Sequence, residues 1–400
     1  MADLFWPGDH RAGDLMSDAA LLAALVAVEN AWLSVLVDAA VAPPAARTDL
    51  IALISPEDAE AIAEGAERDG NPVTGLVALL RDRTADPAAR WLHRGLTSQD
   101  VLDTALLLCL RDALGTVRAQ LTAQVQTLVG LVEIHRDTPM LARTLAQPAL
   151  PSTAGMKFAG WLSATLDAAD TVATLPALPV QAGGAAGTMA AATELAGSAD
   201  AAVQLTDALA RVLNLSPAPP WHTARSTITR HGDAFVTCCD TWGHVANDII
   251  TGSRGEIGEL TEGSGGGSST MPHKVNPVLS ILLRRNALTA PALGATLHAA
   301  SAASVDERAD GGWHAEWATL RTLTRRTVVA ASQASDLLTG LQVHTDRAHV
   351  NLTTAHGLLA EQHTMSELAS RPAGPTYLGA ADHLIDAALY RARHHLKESQ

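Results

Sequence analysis

Residues 261–277 read TEGSGGGSSTMPHKVNP, a glycine-rich, polar stretch closed to helix by Pro272 and Pro277. Gly265, Gly266 and Gly267 leave the backbone free to turn its N–H groups toward an anion. Ser268, Ser269 and Thr270 follow with small hydroxyl donors, Lys274 adds a fixed positive charge and Asn276 a directional amide. Glycine, hydroxyl, cation and amide on one mobile loop suit closure over a carboxylate. A plain linker would favour Gly and Ser but has no use for Met271-Pro272-His273-Lys274 or Asn276-Pro277. Nor is this a nucleotide-phosphate loop, because Lys274 lies too far from the glycines and no strand precedes them.

A second polar pair, Thr97-Ser98, stands before a long apolar run. One of the two caps the following helix, with Asp100 in support. The same hydroxyls, at a helix N-terminus, can also hold a carboxylate. Arg143 reads as a structural salt-bridge residue. His314 and Glu316, beside Trp313 and Trp317, read as packing residues. His383, His394 and His395 read as a solvated face, because carboxylates at metal-ligand spacing are missing there.

Helices must position these groups. From 101 to 134, Leu107, Leu110, Leu114, Val117, Leu121, Val125, Leu128 and Val132 recur at steps of three or four with no proline. That predicts a helix ~50 Å long. It needs partners of similar length, so a long central bundle is implied. Further helices are expected at 18–40, 56–84 with a break at Gly70-Asn71-Pro72, 155–174, 193–213, 233–251, 277–300 and 313–340. The expected fold is all-α. It has an N-terminal helical domain at 1–92, a central long-helix domain at 93–338 carrying the loop at 261–277, and a small helical domain at 339–400.

Composition agrees. Of 400 residues 47% are hydrophobic but only 3% aromatic, and a core of Ala and Leu favours helices over strands. Lys plus Arg 28 against Asp plus Glu 42 gives a net charge of −14 with no basic run. Nucleic acid and anionic membranes are therefore not expected as partners, whereas an anionic small substrate at a local positive site is. Cys238 and Cys239 are adjacent, too close for an ordinary disulfide, and with Cys109 they read as buried thiols of a reducing compartment. The opening MADLFWPGDHRAGDLMSD carries acids and no long apolar core, unlike a secretory signal. No apolar run reads as clean enough to span a bilayer, and the expected location is the cytoplasm.

GSSTMPHKVNP at 267–277 resembles the signature loop of the fumarase/aspartase superfamily of homotetrameric lyases. HRGLTSQDVLDT at 93–104 is similar to its Ser/Thr-rich segment at the start of a long helix, and RTLAQPALP at 143–151 to its Arg-Thr segment. LPVQAGGAAGT at 178–188, PWHTAR at 220–225 and DERADGGWHAEW at 306–317 resemble the bacterial 3-carboxy-cis,cis-muconate cycloisomerases within it. The resemblance spans roughly residues 14–345 and returns at Tyr377-Leu378-Gly379-Ala380, with family helices lacking between Leu368 and Pro375.

The resemblance implies roles. Ser268 is the residue that acts as base in elimination and as acid in addition, with Ser269 its neighbouring rival. A free serine is a poor base, so loop N–H groups and Lys274 must stabilise its alkoxide. Lys274, Asn276, Thr97, Ser98, Thr144 and Gln147 hold substrate carboxylates. Asn71 lies in a family loop near the site, with a plain turn residue before Pro72 as the other reading. His222 and Arg225 meet the extra carboxylate of a tricarboxylate, or else sit in a surface loop. His93 lines the site and His273 shapes the loop. No cofactor and no metal are implied. The partners implied are a small polycarboxylate substrate and further copies of the chain, in a homotetramer whose sites collect their three segments from different subunits.

Two departures matter. Family members that eliminate amines or water place a histidine after the Arg-Thr pair and a glutamate seven residues after the loop lysine. Here those positions are Leu145 and Ile281, expected to share an apolar pocket. β-Elimination needs a base for the proton α to a carboxylate, but needs an acid only when the leaving group is basic. A departing carboxylate, with a conjugate-acid pKa of about 4, leaves unprotonated. The chain is therefore expected to be an enzyme, a cofactor-independent cycloisomerase. It would interconvert 3-carboxy-cis,cis-muconate and a carboxymuconolactone through an aci-carboxylate, in protocatechuate breakdown. A lyase expelling nitrite or another weakly basic anion from a substituted succinate satisfies the same residues. A non-catalytic homologue is the third reading, opposed by the intact loop.

Overall fold

The computed structural model describes residues 3–263, 265–308 and 310–398; Ser264 of the glycine-rich loop thus lies outside the described residues. In chain order the helices are α1 (Asp18–Asp38), α2 (Asp58–Asp69), α3 (Pro72–Asp82), α4 (Ala88–Trp91), α5 (Ser98–Ile134), α6 (Ala154–Ala173) and α7 (Ala190–Ala196). They continue as α8 (Ala199–Leu213), α9 (Ser226–Gly252), α10 (Val278–Ala302), α11 (Gly311–Gly340), α12 (Thr345–Thr354), α13 (Ala360–Leu368) and α14 (Ala381–Glu398). Strands β1 (Pro139–Thr144) and β2 (Gln147–Thr153) pair antiparallel, as do the short β3 (Leu260–Thr261) and β4 (Gln342–Val343). The fold is all-α.

Helix ends follow side-chain chemistry. Ser17, Asn71, Thr153 and Ser198 cap α1, α3, α6 and α8, each accepting a backbone N–H of the first turn. The helix expected at 193–213 is two, because Gly197 turns left-handed at φ 82° and Ser198 starts a new one. The helix expected at 233–251 begins earlier, at Ser226.

The chain forms two compact units. Unit 1 comprises Met1–Gly115, Leu175–Asp233 and Ala292–Arg326; unit 2 comprises Thr116–Thr174, Ala234–Pro291 and Thr327–Gln400. Four of their five limits fall inside α5, α9, α10 and α11, and the fifth, at Thr174/Leu175, just after α6.

In unit 1, α1 packs on α8, and Trp32, Leu33, Leu36, Leu76 and Leu209 join one core. Fully burying a leucine stabilises by roughly 1.5–3 kcal/mol, which explains why the first turns of α5, residues 101–110, are apolar on nearly every side. By length and composition α1 is apolar enough to cross a membrane, with mean hydropathy 2.0 over its most apolar stretch, contrary to the expectation that no run qualifies. Two thirds of that stretch, 67%, is buried inside the protein, as in the core helix of a folded domain.

In unit 2 the long helices lock through Gln124 of α5. Trp242 Nε1 of α9 donates to its Oε1 at 2.8 Å, and its Nε2 donates to the Ala331 carbonyl of α11 at 2.9 Å. A Cβ at Gly243 of α9 would lie 2.4 Å from Ala287 Cβ of α10, so only glycine lets these two helices approach so closely. α14 packs on α6, and α12 on β1.

The β1–β2 hairpin is not anticipated by the sequence reading. Thr144 pairs with Gln147, and the two residues between, Leu145 and Ala146, both have positive φ, 48° and 65°. That is the backbone of a tight primed turn, usually written Asn-Gly. Pro148 and Pro151 are tolerated because β2 is an edge strand.

Candidate active site

The glycine-rich loop is tied at its base. The buried Glu262 carboxylate accepts the N–H groups of Leu279 at 3.0 Å and Ser280 at 2.6 Å, at the start of α10. Gly266 and Asn276 exchange two backbone hydrogen bonds, at 2.9 and 2.8 Å. A Cβ on Gly265 or Gly266 would fall 2.3 or 2.2 Å from a valine methyl of Val275 or Val278, so glycine at both lets the loop close without moving these side chains. Above this base, Ser268 Oγ accepts the N–H of Met271 at 3.0 Å and of Thr270 at 3.4 Å. Asn276 Nδ2 donates to the Gly267 carbonyl at 3.4 Å. The Ser269 hydroxyl and the Lys274 ammonium are exposed and make no hydrogen bond among the described residues. Two N–H groups aimed at one oxygen are what a serine carrying negative charge requires, and Ser268 has them where Ser269 does not.

Also in unit 2, Thr144 and Gln147 face each other across the hairpin turn, exposed. Leu145 between them is 98% exposed and Ile281 49%. Among the described residues of one subunit the apolar pocket expected around this pair is therefore absent: a two-residue turn projects Leu145 outward. Arg143 is structural, as read. It donates to both oxygens of Glu259 at 2.8 and 2.7 Å, and Glu259 also accepts from Asn351 at 2.8 Å.

In unit 1, Asp100 organises the N-terminus of α5. Its buried carboxylate accepts four donors: the N–H groups of Thr97 at 2.9 Å, Gly183 at 2.8 Å and Gly184 at 2.9 Å, and His222 Nε2 at 2.8 Å. The capping reading thus accounts for the Thr97 backbone. Arg308, which the sequence reading did not single out, donates to Thr97 Oγ1. The Ser98 hydroxyl, half-buried, has no partner among the described residues and is available to a ligand at the helix end.

Three expected substrate contacts are committed elsewhere. His222, 4% exposed, is held by Asp100. Arg225, 2% exposed, spends its guanidinium on Asp103 at 2.6 and 3.0 Å and on Glu316 at 2.6 and 3.0 Å, with its plane 4.7 Å from the Trp221 ring. Neither side chain reaches an incoming carboxylate. Burial pushes the Glu316 carboxyl above its usual range, against the pull of Arg225. Trp313 Nε1 joins at Asp103, 2.9 Å away; Glu316 is thus buried as an ion-pair partner and His314 is exposed, bonding the Gly70 carbonyl at 2.9 Å, so neither has the core-packing role read for it. Asn71 uses its side-chain oxygen to cap α3, accepting from Val73 and Thr74 at 3.0 and 3.3 Å, which is the turn reading and not the substrate one.

Residues 22–290 match the profile of a protein family described as "Lyase". This chain belongs to the fumarase/aspartase superfamily. It is 41% identical over 365 residues to a nitrosuccinate lyase of Streptomyces davaonensis, covering 88% of this chain and 77% of that one. It is 38% identical over 355 residues to a 3-carboxy-cis,cis-muconate cycloisomerase of Bradyrhizobium diazoefficiens, covering 85% and 76%. The solved 3-carboxy-cis,cis-muconate lactonizing enzyme of Pseudomonas putida superposes with TM-score 0.82 at 34% identity, covering 96% of this chain and 86% of that one.

Proposed function

We propose that the chain catalyses elimination, or the reverse addition, next to a carboxylate, with Ser268 moving the proton and a leaving group basic too weakly to need one. One observation carries this reading. In the family loop Ser268 Oγ sits under two N–H donors, while Leu145 stands where the amine- and water-eliminating relatives place their histidine.

In the eliminating direction the Ser268 oxygen takes a proton from the carbon α to a carboxylate. The electron pair spreads onto that carboxylate as an aci-carboxylate. Lys274 and Asn276 stabilise the added charge, and Thr97, Ser98, Thr144 and Gln147 grip the remaining oxygens. Collapse forms the double bond and expels the leaving group with its bonding pair. Each site would collect its segments from different subunits of a homotetramer, and Ile281 and Leu288, 49% and 73% exposed on α10, are apolar surface such an assembly would cover.

The leading substrate is nitrosuccinate, which would release nitrite and fumarate. The 41% identity to a nitrosuccinate lyase supports it. So does the internal commitment of His222 and Arg225, the pair expected to meet a third carboxylate. The second reading is cycloisomerisation of 3-carboxy-cis,cis-muconate, supported by the cycloisomerase relatives. There a carboxylate adds across the double bond and Ser268 protonates the α carbon. Pure protein incubated with each compound decides, followed by nitrite release and by ultraviolet absorbance. Turnover of neither overturns both readings.

A further inference from the structure

Between its terminal aspartates α1 carries one charged residue, Glu29, and that side chain is fully buried. A carboxylate in so apolar a helix is costly without partners. Glu29 has one: His93 Nδ1 lies 2.6 Å from its Oε1, while its buried Oε2 makes no hydrogen bond among the described residues.

The partner is held with equal care. His93 adopts φ 62°, a left-handed conformation that non-glycine residues take at a cost. Trp32, one helical turn beyond Glu29, donates through Nε1 to the Arg94 carbonyl at 2.7 Å. Gly95, at φ 89°, lets the turn lie against the Trp32 ring, where a Cβ would stand 3.4 Å away. Helix α1 thus fixes residues 93–95 from one face, four residues ahead of Thr97-Ser98.

The His93 side chain is 18% exposed although its Nδ1 faces a fully buried group. The exposed edge is therefore the opposite one, which carries Nε2, and Nε2 has no partner among the described residues. With Nδ1 taken by the buried carboxylate, Nε2 is the ring nitrogen left to face a ligand, and it donates to an anion when it carries a proton.

We propose that His93 binds a substrate carboxylate through Nε2 and that Glu29 is its positioning residue. This rests on the reading of the 93–104 segment as part of the site. A second carboxylate of the substrate, gripped before and after the chemistry, is the group it fits. Its loss should weaken binding more than turnover.

Fumarate is the product of the leading reading, and its binding, followed by calorimetry, tests the dyad apart from turnover. His93→Gln should weaken fumarate binding by roughly 10- to 100-fold, the range for a hydrogen bond to a charged group. Glu29→Gln should weaken it less, and the Glu29→Gln/His93→Gln double variant should match His93→Gln alone, because Glu29 acts only through the ring. Unchanged fumarate affinity in His93→Gln or additive losses in the double variant overturns the proposal; if the wild type binds no fumarate the leading substrate falls, and the same comparison on 3-carboxy-cis,cis-muconate decides the dyad. A structural role alone would lower the unfolding temperature of Glu29→Gln and leave its affinity intact. Should Glu29→Gln not fold, His93→Gln decides alone. Ser268→Ala is the control: it should abolish turnover yet bind fumarate normally. Retained turnover in Ser268→Ala defeats the reading of the loop, whereas wild-type affinity in His93→Gln defeats only the dyad.

Discussion

Arg225 and Asp103 form a two-pronged ion pair, 2.6 and 3.0 Å, with neither side chain exposed. Glu316 closes the group on the other side of the guanidinium at 2.6 Å. Burial raises the Glu316 carboxyl, and the Asp103 charge adds to it, against the pull of Arg225. Removing the cation would strand both acids. Arg225→Met should therefore cost about 3–5 kcal/mol of stability, read from urea unfolding at neutral pH. Full stability together with a raised KM would return Arg225 to the substrate.

Ser268 gives the kinetic test. Removing a group that transfers the proton in the transition state costs typically 10²–10⁴-fold. Ser268→Ala should lose kcat by at least about 10²-fold with KM little changed, and Ser269→Ala should lose much less, because its hydroxyl receives no N–H donor. Steady-state kinetics of both variants on the active substrate check this. Equal losses would mean that the loop N–H groups do not select the base.

The thiols should be silent. Cys109, Cys238 and Cys239 are buried, and burial pushes Cys109 and Cys239 up to about 12 and raises Cys238 as well. Thiolate is the reactive form, so little exists near neutrality. Native protein at pH 8 should show no fast reaction with a disulfide reagent, and denatured protein should release all three thiols. A fast-reacting native thiol would contradict the burial.

Much of this was legible in the chain. Long apolar periodicities fix α5, α10 and α11, because a buried helix must repeat its hydrocarbon face. The loop was legible because glycine, hydroxyl and cation have no common packing role. The hairpin was not, since Leu145-Ala146 is the reverse of the usual primed-turn pair and two prolines mark its second strand. The partners of His222 and Arg225 are hidden for another reason. Nothing local in PWHTAR reveals that Asp100, Asp103 and Glu316 converge on it from α5 and α11. Glu29 is not legible as buried because one acid in an apolar helix looks like a solvent-facing turn, and its partner His93 lies 64 residues away.

Leu145 and Ile281 carry the last prediction. Within one subunit a buried-pocket cost for polar residues at these positions does not arise, because the two side chains are 98% and 49% exposed there. Histidine tolerates the left-handed φ of 48° at position 145, and a glutamate in the first turn of α10 meets the positive end of its helix. Leu145→His/Ile281→Glu should therefore leave the fold of each subunit intact, read from its helical circular dichroism. The chemistry is a separate matter. Fumarate hydration, and cleavage of argininosuccinate or adenylosuccinate, involve hydroxide or amine leaving groups that must be protonated as they depart. A leucine supplies no proton, so the wild type should turn over none of the three, measured by ultraviolet absorbance at high enzyme concentration. Robust turnover of any of them would show that another side chain supplies the acid, and the assignment of a weakly basic leaving group would fall with it.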